Sequence, residues 1–519
     1  MAEPAAKRAE QTSLAWYDTP VVVLVLQCIP AFVDAVALLE ALPPSSQTTS
    51  GSALVALHRQ HGLPGHHLWP VLELDKIPHA LMNLAVSALP MVPTLCVSRV
   101  QGDDIVGSVH VSLVTATMAG SDLVRSHVLS DQCCSLATFV ERYGHAIVRI
   151  ALNVRGDAAT GAVASALQHC TRPRQLSLEL SVDAVSSIAP LLASIATHAL
   201  GALSLCIERP SDDDDDDDDG IPAVLCPPML LSWLALPVAS SLRLVNVTFT
   251  NPGSLRQALC GLHNLELVRV HDLLVDASDA PRLSALQSLV ATNVRLPSVH
   301  GLLCQLSAKT LTHLDLDGPL DWSPLLAALK HLVALHLHGG TMTALGQVDV
   351  ARVPQLQTVK LSRVHVPDKD APILVAWLDT AEALRELHWT HSALAMHGPV
   401  AVAHALPRWL RLGLQTLTLA NNFISDDAAL VLSMAIAKGG NTTDVALDLS
   451  ANVFKLPGLR ALLLALSASV KLSIRLDGLQ LMRRHLEELG AFAAAHGVQC
   501  DAVTQVYTPP PADKTRWRL

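Results

Sequence analysis

The chain has 519 residues, 50% of them apolar but only 3% aromatic, which favours thin stacked layers of Leu, Val and Ala over one thick compact core. Its formal net charge is -10, and eight of the negative charges belong to one run of aspartates at 212–219. The rest of the chain is nearly neutral and has no basic cluster, which argues against a nucleic-acid-binding protein.

The ten cysteines show no CxxC pair and no metal-ligand spacing. A free thiol among apolar residues packs as a small hydrophobe. Unpaired cysteines of this kind are typical of a reducing compartment. We therefore expect an intracellular protein, either cytoplasmic or nuclear.

The amino-terminal segment is predicted to hold a disordered stretch at 1–17, followed by helices. Residues 21–42 begin with the six apolar residues VVVLVL, but Gln27, Asp34 and Glu40 interrupt the apolar stretch. A membrane-spanning helix tolerates few such groups because hydrocarbon does not solvate them. We therefore expect two short helices broken at Pro30 and no membrane association.

Residues 18–75 resemble an F-box in the order of their elements. An apolar helix follows Pro20, a break at Pro30 precedes a second apolar helix, and a Leu-Trp pair stands at 68–69. The resemblance implies a small helical region that binds a Skp-family adaptor. Thr19 replaces the Leu of the family's Leu-Pro start, and the basic residues common near the end are missing. The positions that would carry the F-box-like fold are Val22, Leu24, Ile29, Leu38 and Trp69.

Residues 141–480 contain a recurring unit, L-x-x-L-x-L, whereas 76–140 show no repeat and are expected to form a helical or irregular bridge. The second Leu position of the unit serves as a marker and recurs every 21 to 30 residues, except across the aspartate run. The long interval there predicts an acidic loop insertion at about 209–221. The markers are Ile150, Leu176, Leu203, Val245, Val268, Leu289, Leu314, Leu335, Val359, Leu387, Leu417, Leu447 and Ile474.

Each repeat predicts one short strand, because apolar and polar residues alternate with period two around the marker. Helix-like apolar stretches, for example 428–438 and 459–467, lie between the strands. One strand–helix coil cannot bury its own apolar face, whereas stacked coils bury a continuous core. We therefore expect an α/β fold: a leucine-rich-repeat horseshoe solenoid of about 13 repeats with a parallel inner sheet, preceded by a small, mostly helical domain.

The stretch 414–452 resembles the ribonuclease-inhibitor-like branch of the leucine-rich-repeat superfamily. Asn422 and Asn452 stand where that family places a buried asparagine that bonds the loop backbone. The corresponding positions of earlier repeats are different, and the asparagine ladder is not expected there. These positions hold Val294, Pro319 and Gly340.

The segment after the last repeat is predicted to end the array. Residues 481–496 are amphipathic, so we expect a capping helix within 481–500. The remaining residues, 501–519, include three consecutive prolines and are expected to form a mobile tail.

Strand alternation also predicts a binding face. If Leu314 and Leu316 point inward, the side chains between the leucines point to the open concave face, in columns about 4.8 Å apart. Solenoids recognise partners with this face, and we expect a protein partner on it. The candidate partner-binding residues are His313, Asp315, Asp317, His336, His338, Lys360, Glu386 and His388.

No catalytic residue, cofactor or metal is predicted. The patterns G-x-x-x-x-G-K-[ST] and strand-linked G-x-G-x-x-G are absent from the sequence. Aspartate and histidine on neighbouring strands have the chemistry of zinc ligands. However, no local ligand-pair spacing supports a site, and 24 histidines make such a coincidence easy.

Three hypotheses for function follow. The first is a non-enzymatic adaptor: an F-box-like segment would engage an SCF-type ubiquitin ligase while the concave face holds a substrate. The second is a repeat scaffold or inhibitor whose helical amino terminus caps the array. The third is a leucine-rich-repeat GTPase activator, for which the sequence nominates no catalytic arginine. None of them involves nucleic acid or a membrane.

Overall fold

The computed structural model divides the chain into two compact units, Met1–Thr250 and Asn251–Leu519. The segment 1–17, the positions of Val22 and Leu24, the acidic loop at 209–221 and the residues after 509 lie outside the described residues. The structure describes residues 25–26, 29, 31–42, 48–102, 105–112, 134–181, 183–185, 188–195, 200–208, 223–225, 228–249, 253–270, 273–274, 282–294, 296, 299–394, 396–441, 443–479, 481–501 and 505–509.

The described part of the first unit contains two helices near its start, α1 at Phe32–Ala41 and α2 at Thr49–Arg59. The hydroxyl of Thr48 caps α2 by accepting a hydrogen bond from the Gly51 N–H at 3.0 Å. The buried face of α1 consists of Ala35, Val36 and Leu39.

A small sheet follows where a helical or irregular bridge was expected. Strand β1 (Val71–Glu73) is followed along the chain by the short helix α3 (Met82–Ala88) and by strand β2 (Thr94–Gly102). Strands β1 and β2 pair in parallel. Strand β3 (Ile105–Ser112) pairs antiparallel with β2. The structure therefore differs from the expectation over 94–112, because two strands that pair with each other satisfy their backbone groups without a helix.

The repeat strands of the first unit are joined to this sheet through β3, which pairs antiparallel with β5 (Ile147–Val154). Strands β5, β6, β7 and β9 are parallel, with Ile150 beside Leu176, Leu176 beside Leu203 and Leu203 beside Leu242. The elements of this part are β4 (Cys134–Ser135), α4 (Leu136–Tyr143), β5 (Ile147–Val154), α5 (Asp157–Gln168), β6 (Gln175–Leu180), α6 (Ile188–Ile195), β7 (Ala202–Ile207), β8 (Ala223–Leu225), α7 (Pro228–Leu234), β9 (Ser241–Val245) and β10 (Val247–Phe249).

The second unit is built on a row of short parallel strands. Each pairs with the next along the chain, from β11 (Asn264–Val268) to β19 (Leu472–Arg475). These strands are β11 (Asn264–Val268), β12 (Ser288–Thr292), β13 (His313–Asp317), β14 (Ala334–His338), β15 (Thr358–Ser362), β16 (Glu386–Thr390), β17 (Thr416–Thr418), β18 (Val445–Asp448) and β19 (Leu472–Arg475).

Helices follow most of these strands, and the longer helices lie toward the carboxyl end. They are α8 (Gly253–Ala258), α9 (Val299–Gln305), α10 (Ser323–Ala328), α11 (Ala371–Leu378), α12 (His397–Leu412), α13 (Asp426–Lys438) and α14 (Leu456–Ser467). The helices predicted at 428–438 and 459–467 are confirmed by α13 and α14. The alternation of parallel strands and helices fits leucine-rich repeats.

The end of the array contains a helix and a hairpin. Helix α15 (Arg483–Ala495) lies within the segment for which a capping helix was predicted. Strands β20 (Gln499–Asp501) and β21 (Val506–Thr508) then pair antiparallel, and β21 pairs antiparallel with β19. Part of the segment expected as a mobile tail is therefore ordered sheet, because it satisfies the free edge of the last repeat strand.

The inward side chains of the strands form the core, and they correct two of the predicted markers. In β11 the buried residues are Leu265 and Leu267, and Leu265 is the one beside Leu289. Val268 is therefore not equivalent to the other markers. In β9 Leu242 holds the marker position, and Val245 instead lies beside Cys206. The error arose because L-x-L-V offers two alignments of the L-x-x-L-x-L unit.

The two predicted asparagines are buried and bond the loop backbone. The Oδ1 of Asn452 accepts from the N–H groups of Asn422 and Ile424, both at 3.0 Å. Its Nδ2 donates to the carbonyl of Leu419 at 3.0 Å. The Oδ1 of Asn422 accepts from the Ser392 N–H at 2.8 Å. Each asparagine therefore connects one loop to the loop of the preceding repeat.

Earlier loops without asparagine use other polar side chains. The hydroxyl of Ser323 donates to the carbonyl of Thr343 and accepts from its N–H, both at 2.8 Å. The indole N–H of Trp322 donates to the carbonyl of Gly339 at 2.9 Å. A side chain from one loop thus still bonds the next loop, although the residue types vary.

Among the described residues, every helix is too short or too polar to cross a lipid bilayer.

Candidate binding face

Strand alternation places a polar side chain between the buried apolar ones in most repeat strands of the second unit; the exceptions are Val290 in β12 and Ala446 in β18. In β13 the buried residues are Leu314 and Leu316, and in β14 they are Leu335 and Leu337. The other side chains of these strands keep solvent access. We call the eight predicted partner-binding residues the polar strand face: His313, Asp315, Asp317, His336, His338, Lys360, Glu386 and His388.

The strand register sorts the polar strand face into three rows. The middle row is continuous over four strands: Asp315 lies beside His336, which lies beside Lys360, which lies beside His388. A second row holds Asp317 beside His338. His313 and Glu386 share the third row but are separated by Ala334 and Thr358, so these two residues are not brought together.

Two aspartate–histidine contacts connect β13 with β14. The Nδ1 of His336 lies 3.1 Å from Oδ2 of Asp315, and the Nδ1 of His338 lies 3.0 Å from Oδ1 of Asp317. The side chains of the first pair are 29% and 37% exposed, and those of the second pair are 46% and 25% exposed. Water therefore screens both pairs, and their contribution to folding stability is small.

His388 is a partly buried member of the middle row. Burial lowers the pKa of its imidazole, and the neighbouring positive charge of Lys360 lowers it further, while Glu386 opposes the shift. The Nε2 of His388 lies 3.8 Å from a carboxylate oxygen of Glu386. His388 therefore favours its neutral form, which donates one hydrogen bond and accepts another.

The middle row continues beyond the predicted residues. Thr418 lies beside His388, Asp448 beside Thr418 and Arg475 beside Asp448. These three side chains were missed, although the signal was present in the sequence. They occupy the same position relative to the markers Leu417, Leu447 and Ile474 as the predicted residues occupy in their own repeats.

The F-box-like residues that the structure describes pack in the first unit. Trp69 is buried, and its indole N–H donates to the carbonyl of Ile29 at 2.8 Å. Leu38 is partly exposed on α1. The apolar side chains of Val25 and Val33 are 48% and 76% exposed. The structure thus brings Ile29 and Trp69 together and leaves apolar surface on the same segment.

Two further kinds of group bear on a second site: the thiol of Cys170 and the potential metal-ligating side chains. Burial raises the pKa of the Cys170 thiol to about 12, so it stays protonated and unreactive. Within the described part of the chain, no group of three or more His, Cys, Asp or Glu side chains is arranged to hold a metal ion.

Comparison with known proteins gives a distant structural likeness. No protein-family model matches the chain, and no curated protein matches it. Among solved structures, the chain is similar to an internalin from Listeria monocytogenes, with 14% sequence identity and a TM-score of 0.39. The match covers 69% of this chain and 94% of that chain. A likeness at this level carries no information about function.

Proposed function

We propose that the second unit is a non-enzymatic protein-binding module that uses the polar strand face. One observation carries the proposal: the middle row aligns acidic, basic and imidazole side chains on adjacent strands, all with access to solvent. Charged and hydrogen-bonding groups held on rigid strands suit the specific recognition of a protein surface. The long carboxy-terminal helices and the two buried asparagines favour the ribonuclease-inhibitor-like branch of the repeats.

Capture of binding partners by two matched triple variants of the full chain tests this proposal. The first replaces Asp315, Lys360 and Glu386 with alanine. The second removes the same set of charges from exposed positions off the strands and replaces Glu382, Arg411 and Asp427 with alanine. The unchanged chain and the second variant should capture the same proteins, and the first variant should not capture them. The affinity of the first variant for these proteins should be lower by about tenfold or more. Equal capture by all three chains contradicts the proposal.

The finer hypothesis is that the first unit links this module to an SCF-type ubiquitin ligase as a substrate adaptor. It is supported by the buried Trp69 that holds Ile29 and by the exposed Val33 on the same segment, because an adaptor needs apolar surface to bind. Co-purification of a Skp-family protein with the full chain should be lost in Val33→Asp. Co-purification should persist in Val106→Asp, which makes the same substitution at another exposed valine of the first unit. If no Skp-family protein co-purifies, the finer hypothesis is wrong and the module stands without a ligase link.

A further inference from the structure

The loops after β17 and β18 expose two large apolar side chains at equivalent positions. Phe423 is 69% exposed and Val453 is 52% exposed. Each directly follows one of the two buried asparagines, so the two side chains occupy the same place in consecutive repeats. The N–H of Val453 donates to the carbonyl of Ile424 at 3.2 Å, which holds the two loops side by side. Phe423 and Val453 therefore form one apolar patch, which we call the loop patch.

The backbone that carries the loop patch is held firmly in place. The Oδ1 of Asn452 accepts hydrogen bonds from the N–H groups on both sides of Phe423, those of Asn422 and Ile424. The residues that follow the patch in the two loops, Ile424 and Phe454, are buried in the core. A side chain on a fixed backbone loses less conformational freedom on binding, and this favours affinity.

The conformation of Phe423 indicates that folding does not require an aromatic ring there. Its φ is +58°, in the left-handed region that disfavours bulky side chains. Ala393 takes the equivalent position in the preceding repeat, where φ is +50°, so a methyl group is sufficient for this loop. The other five phenylalanines of the chain are buried or partly buried. Strained residues and exposed apolar patches are both typical of functional surfaces.

Charged side chains at the end of the middle row define the chemistry of an occupant. Asp448 is the last residue of β18, the strand that leads into the loop of Val453. Arg475 lies beside Asp448 in the register, but its Nε already donates to Asp477 at 2.9 Å. These two aspartates and one arginine together carry a net negative charge. A partner that covers the loop patch is therefore complementary if it places a lysine or an arginine beside its own apolar side chain.

We propose that the loop patch extends the binding surface of the polar strand face and receives a partner segment in which a large apolar side chain adjoins a lysine or an arginine. The apolar side chain packs on Phe423 and Val453, and the cation faces Asp448. Aromatic anchors at rigid positions contribute much of the affinity of protein interfaces, whereas charge selects the partner. The proposal rests on the proposed binding function of the second unit and adds the chemistry of the partner.

Selection of linear peptides from a displayed random library on the unchanged full chain tests the loop patch. The selected peptides should share a large apolar residue next to a lysine or an arginine. Val453→Ala should bind them about tenfold more weakly or worse, and Asp448→Asn should lose the preference for the cation. Val470→Ala is the matched control, since Val470 is 49% exposed outside the patch, and it should bind as the unchanged chain does.

Phe423→Gly separates a binding role of the ring from a structural one. Glycine adopts a left-handed φ without steric cost, so this variant should unfold at a thermal midpoint equal to or above that of the unchanged chain. It should nevertheless bind the selected peptides about tenfold more weakly or worse. A clearly lower midpoint would show that the ring stabilises the loop, which overturns the proposal.

Two outcomes of the selection also overturn the proposal. One is equal binding of the selected peptides to Phe423→Gly and the unchanged chain, and the other is a selection that enriches no apolar–basic sequence. Neither outcome affects the proposed function, which depends on the capture of partners through Asp315, Lys360 and Glu386.

Discussion

The side chain of Asn452 makes several buried hydrogen bonds in the loops. It is 5% exposed and bonds the backbone of Asn422, Ile424, Leu419 and Leu449. Because these groups have no route to water, each bond that is lost leaves a backbone donor or acceptor unpaired.

Replacement of Asn452 by alanine should therefore lower the free energy of unfolding by on the order of 3 kcal/mol. Urea denaturation followed by circular dichroism measures the loss. Gln415→Ala is the control, since Gln415 is exposed, and it should change the free energy by less than about 0.5 kcal/mol. If both variants unfold at the same urea concentration, Asn452 does not stabilise the loops as described.

Gly340 is a glycine of an early loop at which the structure requires the absence of a side chain. Its φ is +76°, and a Cβ atom at this position would lie 2.5 Å from Nε1 of Trp322, as well as against the carbonyl of Leu320. The indole cannot retreat because it donates to the carbonyl of Gly339. The left-handed backbone and the close approach of Trp322 therefore both require glycine.

Gly340→Ala should destabilise the chain by about 3 kcal/mol, combining the cost of a left-handed alanine with that of overpacking. Gly346→Ala is the matched change in the same repeat: its nearest contact would be 3.5 Å, an ordinary van der Waals distance. Thermal unfolding should show a clearly lower midpoint for the first variant and little change for the second. Equal midpoints would mean that the Trp322 contact is not formed.

At the scale of single elements, the sequence located most of the repeat strands because burial alternates along them in a simple way. Leu289, Leu314, Leu335 and Val359 were placed in register from spacing alone, and the structure pairs them so. The alternation of apolar and polar residues was ambiguous in β11, because three of four consecutive positions there are apolar. Which of the two alignments of β11 is adopted depends on which side chains pack against the neighbouring strand, and the sequence of β11 alone does not show this.

Strands β2 and β3 show why the first unit was harder to predict. Leu95, Val97, Val109 and Val111 are buried, so both strands carry an alternating apolar face. They pair antiparallel with each other, and no L-x-x-L-x-L spacing accompanies them. The repeat search therefore passed over them. The hydrogen bonds that connect loops without asparagine, such as the one from Ser323 to Thr343, could not be predicted either. They join residues of different repeats, and no local sequence pattern marks them.

The middle row of the polar strand face should respond to pH through His388. Burial and the charge of Lys360 lower the pKa of His388 in the folded chain, with a smaller lowering from His336 and an opposing effect of Glu386. As the pH falls, the unfolded chain thus takes up this proton first. The stability contribution is fully present above the ordinary histidine value of about 6.5 and is lost as the pH falls below it.

His388→Gln should therefore lose less stability on acidification than the unchanged chain. The measurement is the urea midpoint at about pH 7.5 and about pH 5.5 for both chains, because the difference between them cancels the other titrating groups. His331→Gln, which alters an exposed histidine, should behave as the unchanged chain. An identical loss in all three chains would show that His388 does not titrate differently on folding.

At the scale of the whole molecule, each of the two compact units is organised around parallel strands, and the second unit also contains a closing structure after its last repeat strand. A repeat array buries its core by stacking each coil on the next, so a terminal coil needs an additional cover. Here β21 pairs with β19. The segment after β19 also contributes three buried side chains, those of Leu489 on α15, Val498 and Tyr507. Amphipathicity predicted the helix, but the hairpin could not be predicted because its strands are three residues long.

This cover should be required for the stability of the second unit, and helix α15 allows a matched test. Leu489 is 1% exposed, whereas Leu486 on the same helix is 36% exposed. Leu489→Ala should lower the free energy of unfolding by about 2–5 kcal/mol, because it opens a cavity between the helix and the array. Leu486→Ala removes the same atoms from the surface and should cost less than about 0.5 kcal/mol. Urea denaturation distinguishes the two, and a small effect of Leu489→Ala would mean that α15 does not pack on the array and that the last repeat is stable without it.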